Sequence, residues 1–401
     1  MKILVCYTRF PWPLLKGDSL TVFKLLEYLS ARHHVDLLTV EPPDPSHLRF
    51  LPDQLASVTT VANRRPAQLR RLAAAFVTDR SLQVDAFFCP AFAAARRRLL
   101  QSRRYDVVYS HYIRSYGHAD FDANGARKVI GLQLSHQAHF AKAVKNAKNP
   151  ILRRLYALET RRLERWEGRI AGYNDLIHLI SARDLAAIRQ HEAWRSRVFF
   201  NPHGVDPDTF RPAAEARVPG RVLFTGNLGF QANEDAVLWL VQAIWPRILH
   251  AYPGAHLLVA GARPTAAVRD AVRSAPAATL RPFPPHMHEV IQSGDVAVDP
   301  LRIGAGLQNK VLEAMACGVP VVATSLANEG IGAADGSEIL LAEEPEAFAG
   351  AVAQLLRDGA RREELGRSAR AFIERAWSWD HHFAQLEQRW LALTHESVAA
   401  T

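Results

Sequence analysis

Residues 299–324 read DPLRIGAGLQNKVLEAMACGVPVVAT, and this stretch decides how the rest of the chain is interpreted. It leaves a short apolar strand, passes through a turn with Gly304 and Gly306, and enters a helix after Leu307 and Gln308. Glycines let the backbone approach a ligand closely, and the first turn of a helix offers unpaired amides with a partial positive charge. The pattern therefore predicts an anion-binding site.

Two charged side chains extend this predicted site. Lys310 lies in the first turn of the helix and adds a full positive charge beside the anion. Glu313 follows three residues later, on roughly the same face of the helix. A carboxylate in that place can accept two ribose hydroxyls. The residues thus point to a nucleotide diphosphate, with Lys310 and Glu313 as binding and catalytic candidates.

The chain of 401 residues is long enough for two domains of about 200 residues each. Short apolar runs alternate with segments of helical period, which predicts an α/β fold with parallel sheets. Strands are predicted at 2–7, 35–40, 58–62, 106–111, 128–134, 176–181 and 198–201, and then at 221–225, 256–260, 279–283, 296–300 and 320–324.

A boundary between two domains is predicted near residues 201–219, where prolines and glycines interrupt every period. We expect a first domain at 1–205, a second at 206–378, and a terminal helix at 379–401 that crosses back to the first. Ligands of doubly wound sheets bind beyond the carboxyl ends of the strands, so the chemistry is expected at strand-to-helix turns.

Cysteine usage and hydropathy limit the cell compartment and the cofactors. Cys6, Cys89 and Cys317 are scattered and form no CxxC pair, which favours a reducing compartment, and Cys317 is expected to be a small buried apolar residue. The apolar run after Met1 is too short for a signal peptide, and nothing is predicted to span a membrane. We expect a cytoplasmic protein without a metal or a resident cofactor.

The net charge of +9 is divided unequally. Residues 1–200 hold 32 Lys and Arg against 17 Asp and Glu, whereas residues 201–401 hold 17 against 23. The basic clusters are Arg64, Arg65, Arg70, Arg71, Arg96, Arg97, Arg98, Arg103 and Arg104, together with a predicted helix from Lys145 to Arg169. Such clusters attract phosphates, so peripheral contact with the inner face of an anionic membrane is one hypothesis, and solvated helix faces are the other. No nucleic-acid-binding motif is present.

The stretch 299–324 closely resembles the donor-site signature of family 4 retaining glycosyltransferases, also called glycosyl transferases group 1. Their consensus has a glycine loop and then Lys-x-x-Glu-Ala-Met-Ala-x-Gly-x-Pro-Val-Val. The resemblance implies the GT-B fold, with two Rossmann-like domains facing each other across a cleft. It also implies a nucleotide-sugar donor, retention of configuration, no metal, and a ribose-binding role for Glu313. The chain departs from the pattern at Ala305, where many members carry a glutamate that touches the donor sugar.

Two further stretches of the second half resemble donor-binding parts of that family. The loop with Gly226, Asn227 and Gly229 resembles the first loop of the donor domain, and Asn233 is predicted to cap the helix that follows. Many relatives place an arginine and a lysine just after this loop. This chain has neither, so Lys310 is expected to carry the charge of the diphosphate site nearly alone. Phe283 matches the position where relatives wall the nucleobase.

The first half resembles the acceptor domain of the family. The loop 9–18, which contains Arg9 and Gly17, resembles an N-terminal loop that approaches the diphosphate. His111 ends a predicted strand where relatives carry a histidine beside acceptor and donor sugar, so it joins Lys310 and Glu313 as a catalytic candidate. Arg114 follows one turn later and is an acceptor-binding candidate. Two more histidines, His136 and His139, stand where relatives often place acceptor-side polar groups.

The predicted function is transfer of a sugar, of the hexosyl type, from a nucleotide diphosphate to a glycan, a glycolipid or a small molecule. Such a reaction would serve polysaccharide or glycoconjugate biosynthesis. One alternative is a catalytically silent protein of the same fold that binds a nucleotide sugar or partners an active subunit. A nucleotide-sugar epimerase is another. A nicotinamide oxidoreductase is disfavoured because no strand is followed by the Gly-x-Gly-x-x-Gly pattern and a later acid.

Overall fold

The structure is a computed structural model that divides into two compact units. It describes residues 1–14, 17–42, 44–62, 81–85, 89–116, 123–147, 149–180, 184–185, 188, 194–304 and 307–398. The first unit comprises Met1–His203 and Phe383–Thr401, and the second comprises Gly204–His382. The acceptor and donor roles expected of the two halves stay predictions.

A seven-stranded parallel sheet forms the centre of the first unit, in the order β3-β2-β1-β4-β5-β6-β7. Its strands are β1 Lys2–Tyr7, β2 His34–Val40, β3 Ser57–Val61, β4 Val107–His111, β5 Arg127–Gln133, β6 Leu176–Leu179 and β7 Val198–Phe200. The strand order reverses between β1 and β4. At such a switch point the chain leaves the two strands on opposite faces and opens a crevice at their carboxyl ends.

Helices cover both faces of this sheet, as the apolar strands require. They are α1 Gly17–Ser30, α2 Leu82–Asp85, α3 Pro90–Ser102, α4 Ile113–Tyr116, α5 His136–Asn146 and α6 Pro150–Tyr173, with a 3₁₀ helix at Pro45–Phe50. One apolar cluster lies around Leu4, Phe92 and Val108, and another around Ile130, Leu163 and Ile177. The strands are therefore buried on both sides, which fixes the carboxyl ends that carry the candidate residues.

The second unit repeats this plan with a six-stranded parallel sheet in the order β10-β9-β8-β11-β12-β13. Its strands are β8 Arg221–Asn227, β9 His256–Ala262, β10 Ala278–Pro282, β11 Val296–Asp299, β12 Val321–Ala323 and β13 Leu340–Leu341. The reversal of strand order falls between β8 and β11. The glycine loops recognised in the sequence follow these two strands, so the topology places them at one crevice.

The helices of the second unit pack around a large apolar core. They are α7 Gln231–Trp239, α8 Trp245–Ala251, α9 Ala266–Ser274, α10 Met287–Gln292, α11 Asn309–Ala316, α12 Ser325–Asn328, α13 Pro345–Arg357 and α14 Gly359–Ala376, with a 3₁₀ helix at Ala214–Ala216 and a π-helical turn at Leu240–Ile244. Phe224, Trp245 and Phe348 are fully buried at the centre of this core.

The last helix, α15 Trp379–Val398, begins in the second unit and continues in the first. Trp390 is fully buried in the first unit, with its ring centroid 5.4 Å from that of Tyr109. The Glu387 carboxylate accepts a hydrogen bond of 2.7 Å from the Tyr28 hydroxyl. The first unit is thus made of two separate parts of the sequence.

Each predicted strand is present, with ends that differ by at most two residues, and the predicted α/β fold is confirmed. The two-residue strand Leu340–Leu341 was not predicted, because so short a run shows no period. The single helix predicted from Lys145 to Arg169 is wrong. Two helices occupy this region, because Asn149 caps α6 through its side-chain oxygen, 2.8 Å from the Ile151 amide, and Pro150 begins the helix.

Several arginines expected on a basic surface have other environments. Arg96 and Arg162 are each only 3% exposed and belong to the interior of the first unit. Arg103 is exposed, but its guanidinium lies 2.6 Å from the buried carboxylate of Asp36. Arg64, Arg65, Arg70 and Arg71 lie outside the described residues. Arg96, Arg103 and Arg162 therefore do not contribute free positive charge to the surface, and the basic surface is smaller than the sequence suggested.

Within the described ranges, no helix combines the length and the apolar composition needed to span a bilayer. The three cysteines are free and buried. Burial raises the pKa of the Cys6 thiol to about 11 and that of Cys317 to about 12. Both thiols are therefore protonated and unreactive at neutral pH.

Replacing Gly261 by alanine is expected to destabilise the second unit strongly. Gly261 has a φ of +150°, and a Cβ built there would lie 1.7 Å from the carbonyl oxygen of Gly226, its partner near the carboxyl end of the neighbouring strand β8. We expect a loss of about 2–4 kcal/mol in the free energy of unfolding, measured by urea denaturation. The matched control is Gly350→Ala on the exposed side of α13, where a Cβ meets nothing within 4 Å. That variant should be neutral or slightly more stable, and equal losses in both would contradict the steric argument.

Candidate functional site

A cavity of 240 Å³ lies at the switch point of the second sheet, beyond the carboxyl ends of β8 and β11. It is lined by Thr225, Gly226, Asn227, Asn233, Met287, Leu307, Gln308, Asn309, Lys310 and Glu313. The residues come from the carboxyl end of β8, from α7, from α10, from the two residues before α11 and from α11 itself. The cavity therefore unites the two glycine loops that the sequence singled out.

The loop after β8 is held close to helix α7 by a side-chain amide. Asn233 Nδ2 donates a hydrogen bond of 3.0 Å to the Asn227 carbonyl oxygen. A Cβ at Gly226, which has a φ of +152°, would lie 3.1 Å from the same Nδ2, and one at Gly229 would lie 2.9 Å from the Arg263 carbonyl oxygen. The loop thus needs its glycines. The predicted capping role of Asn233 is wrong, because α7 begins two residues earlier, at Gln231.

Helix α11 presents its first turn to the cavity. The Gln308 carbonyl accepts the amides of Val311 and Leu312, and the Gln308 side chain does not cap the helix. The preceding amides of a helix, here those of Asn309 and Lys310, have no acceptor within the helix. Both residues line the cavity. Their N–H groups and the helix dipole make this end of the cavity suitable for an anion.

The ammonium group of Lys310 is already paired. Its Nζ lies 2.9 Å from Asp299 Oδ1 and donates a hydrogen bond of 2.6 Å to Asn233 Oδ1. It also lies 4.7 Å from the centre of the Phe224 ring. Asp299 is 1% exposed, and burial raises its pKa while the lysine opposes that rise. Lys310 thus belongs to a buried ion pair, which differs from the lone charge that the sequence led us to expect.

Glu313 lines the same cavity one turn further along α11. Burial raises the pKa of its carboxyl from 4.5 to about 7. Among the residues that the structure describes, none donates a hydrogen bond to this carboxylate. Glu313 can therefore accept hydrogen bonds from a bound molecule, and such bonds would favour its ionised form.

The other donor-site candidates of the second unit are placed less uniformly. Leu307 and Gln308 line the cavity. Gly304 has a φ of +121° and packs against α7, with a built Cβ 3.2 Å from that of Ala232. Phe283 is 62% exposed and does not line the cavity, and Gly306 lies outside the described residues, as does Ala305. The sequence did not indicate that Thr225 and Met287 line the cavity, because neither belongs to a recognisable motif for it. It also did not indicate that Asn233 binds the Lys310 ammonium.

In the first unit, two of the candidates follow β1. The Arg9 guanidinium lies 2.6 Å from the Asp18 carboxylate, so the loop 9–18 is closed by an ion pair at the start of α1. A Cβ at Gly17 would lie 3.6 Å from His203 Cε1. His203 Nε2 in turn lies 3.0 Å from Gln133 Oε1 at the end of β5. The loop after β1 and the end of β5 therefore meet through His203.

His111 ends β4 in a fully buried position. Its Nδ1 lies 2.8 Å from the Tyr109 hydroxyl, which also lies 3.1 Å from His178 Nε2. Burial, together with His178 and His203, holds the pKa of His111 well below its ordinary value, so the ring is neutral at physiological pH. Sequence reasoning found His111 but missed Tyr109, His178 and His203, because buried polar partners are not marked by any local pattern.

The remaining candidates of the first unit divide into buried and exposed groups. Arg114 donates a hydrogen bond of 3.0 Å to Gln83 Oε1. His136 is buried edge-on against the Tyr112 ring, and burial lowers its pKa to about 3. His139 is exposed one turn along α5. Arg114, His136 and His139 lie near one another, since Arg114 and His139 both contribute to the low pKa of His136.

The sequence profile of the family described as Glycosyl transferases group 1 matches residues 219–358, which contain the cavity. The D-inositol 3-phosphate glycosyltransferase of Mycobacterium avium is 30% identical over 323 residues, with 73% of this chain and 71% of that protein covered. The chain belongs to the group 1 glycosyl transferases. Its class of activity is therefore glycosyl transfer.

Solved structures of glycosyl transferases share the fold. Sucrose-phosphate synthase from Thermosynechococcus elongatus superposes with a TM-score of 0.65 at 19% identity, covering 100% of each chain. The Anabaena protein Alr3699/HepE, solved in complex with UDP-glucose, has a TM-score of 0.60 at 14% identity, again covering 100% of each chain. This group 1 glycosyl transferase therefore has the GT-B fold.

The raised pKa of Glu313 predicts how pH changes stability. The carboxyl titrates near 4.5 in the unfolded chain and near 7 in the folded one, so between these values the folded state holds the extra proton. The free energy of unfolding should therefore fall as pH rises through this window and level off above it. Glu313→Gln cannot ionise and should escape this loss. Urea denaturation from pH 4.5 to 8 should show the variant gaining on the wild type, and a constant difference would contradict the pKa.

Proposed function

We propose that this chain transfers a sugar from a nucleotide-diphosphate donor to an acceptor and holds the donor in the 240 Å³ cavity of the second unit. The observation that carries the proposal is the meeting of three features in that cavity. These are the open first turn of α11, the Lys310 ammonium and the Glu313 carboxylate. They match the parts of one molecule: a diphosphate for the first two and a ribose for the third.

The dimensions of the site support this arrangement. Lys310 and Glu313 are three residues apart on one helix, so their side chains emerge about one turn, or roughly 5 Å, apart along the axis. The loop after β8 supplies glycine backbone on the other side of the cavity. The Anabaena Alr3699/HepE structure contains UDP-glucose, which supports a nucleotide sugar as the donor class here.

The paired lysine suggests how catalysis would be divided. Negative charge grows on the diphosphate as it leaves the sugar, so donors fixed in place stabilise the transition state more than the ground state. Asp299 and Asn233 hold the Lys310 ammonium in one position at the cavity wall. The pair reduces the net charge of the site, so we propose that the amides of α11 share the work with Lys310.

For the acceptor, we propose the first unit, with Arg9, Arg114, His136 and His139 as candidates for binding it and His111 as a catalytic candidate. Retention of configuration and independence of a metal or resident cofactor are proposed from the resemblance of residues 299–324 to family 4. The neutral His111 ring, fixed by the Tyr109 hydroxyl, suits hydrogen bonding to a sugar hydroxyl rather than charge stabilisation. The coupling constant between H1 and H2 of the transferred sugar, measured by NMR in the donor and in the product, tests whether the anomeric configuration is retained.

The donor is identified by thermal shift against nucleotide sugars that differ in base and sugar. A ligand that binds only the folded state stabilises it by about 2.7 kcal/mol at a concentration of 100 Kd. We expect one class of base to raise the melting temperature, and Glu313→Ala to abolish the rise for the same ligand. A panel without any shift, or a shift that Glu313→Ala leaves unchanged, would contradict donor binding in this cavity.

Removing the lysine should slow turnover, and a second substitution separates this effect from the loss of stability. Lys310→Ala alone leaves the Asp299 carboxylate buried without its cation, which destabilises the fold. We therefore pair it with Lys310→Ala/Asp299→Asn, which removes both charges. Both variants should lose about 2–4 kcal/mol of barrier stabilisation, which is roughly a thirtyfold to thousandfold loss in kcat. The double variant should be more stable to urea than Lys310→Ala, because it leaves no unpaired buried charge. A wild-type kcat in the double variant would show that Lys310 does not contribute to catalysis.

A further inference from the structure

Helices α5 and α6 of the first unit form a hairpin that follows the carboxyl end of β5. Three residues join them, and the rings of Phe140 and Tyr156 pack edge-on with centroids 5.8 Å apart. Since β6 lies parallel to β5, α6 must run back from the carboxyl edge of the sheet to its amino edge. The start of α6 therefore lies at the same edge of this unit as His111 and His136.

The start of α6 extends beyond the sheet that the helix covers. A helix of 24 residues is about 36 Å long, whereas β5 with seven residues spans about 23 Å. The buried residues of α6 begin at Glu159, and none precedes it. The first nine residues, about 13 Å of helix, thus project past the carboxyl edge.

Aliphatic side chains are exposed on this projecting part. Ile151 is 76% exposed, Leu152 43% and Leu158 41%. Ile151 and Leu152 occupy the first turn of α6, next to the loop at the end of the hairpin. Removing these two adjacent aliphatic side chains from water, by contact with another apolar surface, would be favourable in free energy.

The sequence of the hairpin around these aliphatic residues is basic and contains no acidic residue. Residues 136–158 contain five Lys and Arg and no Asp or Glu. Lys142, Lys145, Arg153 and Arg154 are exposed in the described part of the hairpin. We call Lys145, Ile151, Leu152, Arg153 and Arg154 the hairpin tip. An uncompensated cluster of cations around aliphatic side chains is complementary to an anionic surface that also has an apolar interior.

We propose that the hairpin tip docks on an anionic lipid bilayer. Ile151 and Leu152 enter the boundary between headgroups and acyl chains, while the long side chains of Lys145, Arg153 and Arg154 reach the lipid phosphates. A nucleic acid would use the cations but leave Ile151 in water. A lipid surface uses both, which is why the observations favour it.

The consequence for the reaction rests on the proposed function. The carboxyl edge of the first sheet carries His111, Arg114 and His136, the acceptor-side candidates, and the hairpin tip projects from the same edge. Docking would bring that edge toward the bilayer. The acceptor class that fits is a sugar or phosphate group attached to a membrane lipid.

Vesicle flotation tests the surface with the full chain. The probes are vesicles of phosphatidylcholine alone and of phosphatidylcholine with phosphatidylglycerol, at low and at high salt. Wild type should bind only the anionic vesicles, and salt should weaken binding. Ile151→Asn/Leu152→Asn and Arg153→Ala/Arg154→Ala should each weaken binding on the order of tenfold or more. The matched controls are Val58→Asn on the exposed side of β3, four strands from β5, and Arg97→Ala/Arg98→Ala on α3; both should bind like the wild type.

Each result decides the matter. Absence of anionic-vesicle binding by the wild type would overturn the proposal, as would equal losses in the tip variants and the controls. A tip variant that changes the oligomeric state in size-exclusion chromatography but not vesicle binding would assign the surface to a second copy and also overturn it. Thermal shift with the nucleotide sugar, run on the same variants, separates this outcome from failure of the donor site, since the tip lies outside the cavity.

Discussion

The first amides of α11, which have no acceptor within the helix, are the constraint on which the candidate site depends. A helix in the interior of a unit must find acceptors for these groups, and α11 instead directs them into a cavity. The strand order places this helix at the switch point between β8 and β11. There the connections from the two strands leave on opposite faces of the sheet and open a crevice at the carboxyl ends. Glycine is needed at positions 226 and 304 beside this crevice, because a side chain at either position would contact α7.

The ion pair between Asp299 and Lys310 accounts for a charged lysine in the buried wall of the cavity. A lysine that was 10% exposed and had no partner would be costly to keep charged. Asp299 supplies the opposite charge from the end of β11, and Asn233 fixes the remaining direction. Because the same asparagine also holds the loop after β8, the two walls of the cavity are joined by one side chain.

Much of the fold was readable from local pattern, and much of the site was not. Apolar runs flanked by turn residues marked the strands, and the motif at 299–324 marked the loop and helix of the cavity. The break between α5 and α6 was missed although Asn149 and Pro150 signal it, because the basic period continues on both sides. The partner of Lys310 was not predictable, since Asp299 ends a strand and reaches the lysine only through the turn between them. Tyr109 and His178 were missed because their contact joins β4 and β6 across the intervening β5, which no local pattern reveals.

The divided sequence of the first unit has a consequence for biosynthesis. Leu386 and Trp390 complete its interior, yet they follow the whole of the second unit in the chain. A ribosome therefore releases the seven-stranded sheet long before the residues that finish its packing, with Tyr109 and Tyr28 still without Trp390 and Glu387. The second unit is encoded in one continuous stretch and can fold as soon as that stretch is synthesised. The first unit cannot complete its core until the last helix has also been synthesised, and until then its apolar surface is accessible to chaperones.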